Sequence, residues 1–343
     1  MRITHSSMMR SYISNLRSSI SNLAKSNEKL SSMRKYSRAS ENTSEASRAY
    51  VIREQLYKNE LYLKNIEDSI SALSAAETSL LTINDLIKTV QERSLRGETG
   101  TIDEIDRDVI AKEIQNIREQ ILQSINIKFG TRYLFGSSNN IEAPFSIGTD
   151  GKLVYNGTKV ADIFRDPVTG KLMSPNPNYD PSDPDSTEYL EVPKNKDIYV
   201  DIGLGIVVND DRIDPKTALK ISSSGIDAIG YGEDNLFDLL TKIENSFRNN
   251  DMSNIDDYLD KLSRHKDNIM LHVTDIGSRV SYMEKSKERI ENEIYNLKVK
   301  QADIEAIDLE YETINNKSYE MAWMINLQLG SQILPASIFD FLR

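Results

Sequence analysis

The chain contains no cysteine and no long hydrophobic run. The first absence excludes disulfide bonds, thiolate metal sites and cysteine nucleophiles. Because no stretch of about 18 apolar residues occurs, the sequence predicts no membrane insertion. The polar residues 1–7 also lack the apolar segment of a cleavable secretory signal. Together these features indicate a cytosolic protein, unless export follows a route that removes no signal.

Positive charge is in the minority. The sequence has 42 Lys and Arg against 53 Asp and Glu, which gives a formal net charge of -11 at pH 7. A charge of this sign repels a phosphate backbone, and no cluster of basic and aromatic residues offsets it. The composition therefore predicts no nucleic acid partner.

Glycine and proline are missing from both ends of the chain. Neither occurs in residues 1–96 or 278–329, whereas eight of the nine prolines lie within residues 144–215. Both residue types interrupt helices. Their distribution therefore predicts long helices at the two ends and a different structure in the middle.

Apolar residues in the predicted helices recur in alternating steps of four and three. This spacing is the heptad pattern of helices that pack side by side, and it predicts four helical surfaces that need partners. The first seam contains Met9, Ile13, Leu16, Ile20, Leu23 and Leu30, the second Ile52, Leu56, Leu63, Ile66, Ile70, Leu73, Leu80 and Ile87, the third Ile110, Ile114, Ile117 and Ile121, and the fourth Ile276, Val280, Met283, Ile290, Ile294, Leu297, Ile304, Tyr311, Ala322, Ile325 and Leu329.

Polar residues interrupt these seams, notably Asn27, Asp308 and Asn315. Such residues can fix the register of paired helices at some expense in stability. Alternatively, they face solvent where the seam drifts around the helix. The sequence leaves both interpretations open.

The middle of the chain has the pattern of short strands and turns. Apolar residues alternate at Leu153 and Tyr155, and the dipeptides Asp-Gly at 150–151 and Asn-Gly at 156–157 favour tight turns. Residues 166–193 contain six prolines, which predicts an exposed, weakly ordered loop.

We therefore predict a mainly α fold with a small β-rich insert. Both chain ends form a rod of long antiparallel coiled-coil-like helices, with the β domain in the middle. After the insert, helix is expected from Asn235 to Gly330, with one break near residues 249–253. The predicted parts are residues 1–44, an N-terminal assembly helix; 45–135, the N-terminal half of the rod; 136–234, the insert; 235–300, the C-terminal half of the rod; and 301–343, a C-terminal assembly helix.

Few residues have the spacing of a metal-binding, phosphate-binding or catalytic site. His265 and His272 stand about 10 Å apart along a helix, too far to share a metal ion without another element, and we expect them on the solvated surface. Residues 201–205 lack the third glycine of a phosphate-binding fingerprint, so tight packing of the backbone is expected there. No nucleophile elbow or Ser-His-Asp arrangement occurs. We predict no enzyme activity, no cofactor and no metal site.

Passages at both ends resemble the bacterial flagellin family. They begin with Lys-Leu-Ser-Ser at residues 29–32 and with Ala-Asp-Ile-Glu-Ala-Ile-Asp-Leu at residues 302–309. Within that family, residues 130–136, 143–145 and 154–157 and the chain end at residues 333–342 are similar to the subunits at the junction between hook and filament.

Two positions depart from the pattern of the family. Met33 stands where glycine is usual after Ser-Ser. Ser-Glu-Asn-Thr at residues 40–43 replaces the customary Ser-Asp-Asp-Pro.

The resemblance implies a structural component of the bacterial flagellum, which links hook to filament by helical self-assembly and supports motility. Its implied partners are copies of itself, the other hook-associated junction protein, flagellin, and the flagellar export chaperone and export apparatus. It would lie outside the cell after export through the flagellar channel without a cleaved signal. Two alternatives are a flagellin subunit of the filament and, in a different class, a cytosolic coiled-coil scaffold.

The terminal seams are expected to form the assembly interface. A helix such as the one predicted at residues 8–33 exposes an apolar stripe with little tertiary support. We therefore expect it to stay frayed until a neighbouring subunit covers it. The predicted interface residues are Met9, Ile13, Leu16, Ile20, Leu23, Leu30, Ile304, Tyr311, Trp323, Ile325, Leu329, Ile338, Phe341 and Leu342.

Overall fold

The computed structural model describes residues 5–98, 103–139, 141–179, 187–209, 212–214 and 217–333. Long helices occupy both ends and short strands lie between them, which confirms the mainly α class with a β-rich insert. The helices are α1 (His5–Ser32), α2 (Thr43–Glu98), α3 (Glu104–Ile125), α4 (Gly225–Ile229), α5 (Leu236–Arg248), α6 (Ile255–Glu305) and α7 (Leu309–Ile333).

The chain divides into two compact units. The terminal unit combines the described residues of Met1–Glu60 and Glu291–Arg343, and the central unit is Leu61–Ile290. The terminal unit therefore holds α1, α7, the start of α2 and the end of α6. The central unit holds the remainder of α2 and α6, the three other helices and the strands.

The second, third and fourth seams supply the helical core of the central unit. Ile66 and Ile87 of α2 and Met283 of α6 are completely shielded from solvent. Each such side chain contributes roughly 1.5–3 kcal/mol on burial. An ion pair of 2.8 Å between Lys287 and Glu67 also joins α6 to α2. The third seam is buried as predicted, at Ile110, Ile114, Ile117 and Ile121 of α3.

Gly97 lies within α2 and lets this helix approach its neighbours closely. The helix continues past this glycine to Glu98. A Cβ atom at Gly97 would lie 2.4 Å from Cε1 of Phe247 and 3.0 Å from Cδ1 of Ile110. The absence of a side chain is therefore needed for packing rather than for chain reversal.

Replacing Gly97 with alanine should lower the free energy of unfolding by about 1–3 kcal/mol, because the buried Phe247 ring must move to admit the methyl group. The matched control is Gly277→Ala in α6, where the nearest atom to a new Cβ, Glu77 Oε1, is 3.8 Å away. There the better helix propensity of alanine should raise the free energy of unfolding by about 0.5–1 kcal/mol. Urea unfolding measures both variants. Equal changes in the two would contradict this account of Gly97.

The insert consists of short antiparallel strands in the described part of the chain. They form two three-stranded sheets, β3-β4-β5 and β6-β7-β8, and the pairs β1–β2, β9–β12 and β10–β11. The strands are β1 (Lys128–Phe129), β2 (Arg132–Tyr133), β3 (Phe145–Ile147), β4 (Leu153–Tyr155), β5 (Thr158–Lys159), β6 (Phe164–Arg165), β7 (Leu172–Pro175), β8 (Tyr189–Glu191), β9 (Tyr199–Val200), β10 (Val208–Asn209), β11 (Arg212–Ile213) and β12 (Leu219–Lys220).

Both predicted turns lie between strands. Asn156 and Gly157, with φ of 49° and 87°, join β4 to β5, and Tyr155 pairs with Thr158 across this turn. A two-residue hairpin of this kind requires positive φ at both positions. Gly151, with φ of 75°, lies in the loop from β3 to β4. The turn predictions are confirmed.

The prediction of a weakly ordered loop at residues 166–193 is wrong in part. β7 and its pairing partner β8 both lie within this range. The prolines did not prevent pairing, because Pro175 closes β7 and Pro167 lies in the turn after β6. Proline is tolerated at such places, where its missing amide hydrogen is not needed. Residues 180–186 of the predicted loop lie outside the described residues.

A break divides the helix predicted between residues 255 and 330. α6 ends at Glu305 and α7 begins at Leu309, although the seam spacing continues through both. Asp308, one of the polar seam residues, caps α7: its Oδ1 accepts a hydrogen bond of 3.0 Å from Tyr311 N. The prediction of one continuous helix is wrong here because a side chain that caps a helix stands at a heptad position. The break predicted near residues 249–253 is present between α5 and α6.

Candidate assembly surface

Within the terminal unit, α1 and α7 pack against each other in antiparallel directions. Near the end of α7, a Cβ atom at Gly330 would lie 2.0 Å from Tyr12 Oη, close to the start of α1. Near the start of α7, Glu312 Oε1 accepts a hydrogen bond of 2.7 Å from Ser26 Oγ, close to the end of α1. The two chain ends therefore form one helix pair.

Polar side chains provide much of this contact. Asn326 Nδ2 donates a hydrogen bond of 2.7 Å to Ser19 Oγ, and Asn316 Nδ2 donates one of 2.8 Å to Asn27 Oδ1. A hydrogen bond contributes about 1 kcal/mol net, less than a buried apolar side chain. The polar contacts thus specify how the helices align more than they stabilise the pair. At Asn27, this favours the interpretation that polar seam residues fix register.

The contact follows a heptad row beside the predicted seams. Every residue of this row is buried or half-buried. Of the predicted interface residues, four lie in it: Leu16, Leu23, Leu30 and Trp323. On α1 the row is Tyr12, Leu16, Ser19, Leu23, Ser26 and Leu30, and on α7 it is Glu312, Asn316, Tyr319, Trp323, Asn326 and Gly330.

On each helix of the pair, apolar residues beside this row remain exposed, and we call these residues of α1 and α7 together the open stripe. Six predicted interface residues belong to it. They are Met9, Ile13 and Ile20 of α1, which are 36%, 39% and 48% exposed, and Tyr311, Ile325 and Leu329 of α7, which are 65%, 55% and 44% exposed. An open stripe of this kind on a helix pair leaves apolar area that a partner can bury.

One further predicted interface residue, Ile304, lies outside the helix pair and is half-buried on α6. Ile338, Phe341 and Leu342 lie outside the described residues. Sequence reasoning missed the polar members of the contact row, although they follow the same alternating steps of four and three. The predicted first seam shares Leu16, Leu23 and Leu30 with this row, and its other members were chosen because they are apolar.

The family-like passage from α3 into the insert has a structural role. Asn126 Oδ1 accepts a hydrogen bond of 3.1 Å from Phe145 N, and its Nδ2 donates one of 2.8 Å to Phe145 O. The ring of Phe145 packs 4.8 Å from that of Tyr155, centre to centre. Tyr155 Oη in turn donates to Asn195 Oδ1 at 3.1 Å. These contacts fix the first sheet against the end of α3.

Alkaline pH should weaken this part of the central unit through Tyr155. Burial raises the pKa of Tyr155 from 10.0 to about 12. Because the pKa in the folded state is the higher one, the stabilisation is complete below pH 10 and is lost as the pH rises towards 12, by up to about 3 kcal/mol. Urea unfolding between pH 9 and pH 11.5 should show this loss in the wild type but not in Tyr155→Phe. The same slope in both proteins would contradict it.

Features expected of a chemical site are scarce. Among the residues that the structure describes, no group of three His, Asp or Glu side chains is placed to hold a metal ion. Within those same ranges, no helix is both long and apolar enough to cross a bilayer.

A Cβ atom at Gly203 would lie 2.9 Å from Tyr62 Cδ2, so this glycine serves tight packing as predicted. His265, predicted on the surface, is instead half-buried, with Nε2 at 2.7 Å from Asp234 O.

Comparison with known proteins finds one family model and two curated relatives that are similar to parts of this chain. Residues 3–140 match the model of the bacterial flagellin N-terminal helical region. Flagellar hook-associated protein 3 of Salmonella typhimurium is 27% identical over 176 residues, which is 50% of this chain and 55% of that protein. The Escherichia coli protein of the same name is 28% identical over 120 residues, 35% of this chain and 38% of that protein. The chain thus spans about half, or less, of the curated relatives it matches.

A solved structure shares the fold. The chain is similar to a structure from Vibrio parahaemolyticus described as a flagellar hook-associated protein, with a TM-score of 0.59 and 15% sequence identity. The match covers 78% of this chain and 100% of the other. At this identity, the likeness establishes a common arrangement of the helices and strands.

Proposed function

We propose that this chain, which carries the flagellin N-terminal helical region at residues 3–140, is a structural subunit of the bacterial flagellum. In this proposal it joins the hook to the filament by helical self-assembly and so supports motility. A structural rather than an enzymatic role is part of the proposal. The names of both curated relatives, which are hook-associated proteins, support it.

The observation that carries the proposal is the open stripe. Complete burial of one isoleucine contributes roughly 1.5–3 kcal/mol, and Ile13, Ile20 and Ile325 are 39%, 48% and 55% exposed. A substantial part of that free energy is therefore still available to a docking partner.

Copies of the subunit would stack through two different surfaces. When such a contact does not close a ring, it generates a helical tube. In this scheme residues 1–44 and 301–343 are the assembly segments, residues 45–135 and 235–300 the two halves of the helical part, and residues 136–234 the insert. The open stripe, together with Ile338, Phe341 and Leu342, supplies the apolar interface.

The proposed location follows from the same role. The subunit would leave the cell through the flagellar channel without a cleaved signal and remain outside it as part of the flagellum. Its partners would be its own copies, the other hook-associated junction protein, flagellin, and the flagellar export chaperone and apparatus. Nucleic acid binding and membrane insertion form no part of the proposal.

Deletion of the gene, followed by electron microscopy of the cells, tests the proposal. We expect hooks without filaments and flagellin released into the medium. Gold-labelled antibody against the protein should mark a short zone beside the hook in the wild type. Label along the whole filament would favour a filament subunit instead. A soluble pool in the cell, with filaments intact after deletion, would favour a cytosolic scaffold.

A further inference from the structure

Two helix breaks in the terminal unit lie against each other. One separates α1 from α2, and the other separates α6 from α7. Lys35 N donates a hydrogen bond of 2.8 Å to Glu305 O, and Ile307 N donates one of 3.2 Å to Met33 O. The backbones of the two breaks therefore pair as a short antiparallel bridge.

Specific contacts terminate the helices at these breaks. Met33, with φ of 57°, ends α1 in the left-handed conformation that commonly follows a helix. Asn42 Oδ1 accepts a hydrogen bond of 3.2 Å from Glu45 N at the start of α2. Lys35 Nζ donates one of 2.6 Å to Asp303 O, a carbonyl group left free at the end of α6. Both breaks are thus encoded by the residues that flank them.

An ion pair lies beside the bridge. Arg53 Nη2 of α2 is 2.7 Å from Glu305 Oε1, and the Glu305 side chain is only 10% exposed. The two atoms are at ion-pair distance without the alignment of a hydrogen bond. Burial raises the pKa of Glu305, but the contact with Arg53, helped by Gln301 and Arg34, outweighs it and holds this pKa below its usual range. The carboxylate is therefore charged at neutral pH and depends on its cation, because an unpaired buried charge is costly.

The space next to the ion pair is poorly filled. A cavity of about 550 Å³ opens there, and Tyr36 Oη is buried without a hydrogen-bond partner among the described residues. Segments with few apolar contacts are held weakly. The bridge, the hydrogen bond from Lys35 Nζ to Asp303 O and the ion pair are therefore contacts that keep the breaks together. The cavity is lined by Tyr36, Ala39, Ala46, Ala49, Tyr50 and Arg53, among others.

We propose that Arg53 and Glu305 form a latch that holds the two helix breaks together as one joint. The closed latch sets the direction in which the α1–α7 pair leaves the ends of α2 and α6 within the terminal unit. When the latch opens, the bridge separates and the helix pair pivots on two independent linkers. The inference concerns the single chain, so it stands or fails separately from the proposed flagellar role. In a flagellar subunit, the joint would determine where the open stripe is presented.

Limited digestion of the full chain with trypsin tests the latch, because Lys35 and Arg38 lie in the first break. Glu305→Gln should increase cleavage there roughly tenfold, the effect of losing a hydrogen-bonded or paired charge. The matched control is Glu60→Gln, which removes an exposed partner of Lys298 on the same two helices, where the atoms are 3.6 Å apart. The control should digest like the wild type.

Two further measurements separate the latch from general loss of structure. Cleavage at Arg17, within α1, should not change in Glu305→Gln, and the thermal midpoint of the central unit should stay the same. The exchanged pair Arg53→Glu with Glu305→Arg should restore slow cleavage at Lys35. Cleavage of Glu305→Gln no faster than that of Glu60→Gln would overturn the proposal. The proposal would also be overturned if the wild type were already cleaved at Lys35 as fast as an unstructured peptide. The same holds if the exchanged pair does not slow cleavage at Lys35.

Discussion

Substituting serine for both Ile13 and Ile20 should abolish incorporation of the subunit into the flagellum while the isolated chain stays folded. Both side chains belong to the open stripe and are 39% and 48% exposed. In the proposed assembly, the exposed apolar area of these two side chains would contribute about 2 kcal/mol to each contact between subunits, or roughly 30-fold in affinity. In a helical assembly the same loss recurs at each contact. Serine and isoleucine have similar helix propensities, so α1 itself should be little affected.

The measurement combines swimming in soft agar with electron microscopy of cells that carry the double variant. We expect no swimming, and hooks without filaments. Asn15→Ser with Asn22→Ser is the matched control, since it makes two serine substitutions at the same spacing at exposed positions of α1. Cells with the control should swim like the wild type. Circular dichroism and secretion of both variants should match the wild type, which separates lost assembly from lost folding or export. Normal swimming with Ile13→Ser and Ile20→Ser would remove the main support for the open stripe as an interface.

The heptad spacing predicted the buried rows of the long helices correctly where apolar residues occupied almost every step. Ile66, Ile87 and Met283 illustrate this, because burial on one face selects apolar side chains at helical spacing. On α1 the same reasoning found Leu16, Leu23 and Leu30 of the row that contacts α7, but it missed the polar residues between them. There Ser19 and Asn326 meet through a hydrogen bond, and hydrophobicity carries no signal for such a contact.

The break between α6 and α7 was harder to predict, because several types of residue can end a helix. Asp308 caps α7 while standing at a heptad position, so its cap signal was obscured by the periodic pattern. Met33 adopts positive φ at the position where the flagellin pattern has glycine. The replacement of glycine by Met33 was visible in the sequence. The hydrogen bond from Ile307 N to the carbonyl oxygen of Met33 was not, because Ile307 lies on a distant segment. The spacing of apolar residues within one segment does not predict which distant segment that segment will contact.

Replacing Glu244 with alanine should destabilise the central unit by about 3–5 kcal/mol, more than the other stability changes expected here. Glu244 of α5 is buried, with Arg118 of α3 at 2.8 Å and Arg248 at 2.9 Å. The Arg118 guanidinium also lies 5.1 Å from the centre of the Phe237 ring. The contact of Arg118 with Glu244 lacks hydrogen-bond alignment, so the attraction is chiefly electrostatic. Without the carboxylate, the charge of Arg118 stays between two packed helices with no counterion from Glu244.

Two controls distinguish the loss of a counterion from the loss of packing. Asp108→Ala breaks the exposed pair of Asp108 with Lys112 on α3 and should leave urea unfolding unchanged. Arg118→Met combined with Glu244→Leu removes both charges and retains side-chain volume, so its stability should return to within about 1 kcal/mol of the wild type. If the double variant is as unstable as Glu244→Ala, the carboxylate acts through its shape and its hydrogen-bonding surroundings, and the electrostatic account is wrong. If Glu244→Ala unfolds like Asp108→Ala, α3 and α5 are held by their apolar rows alone.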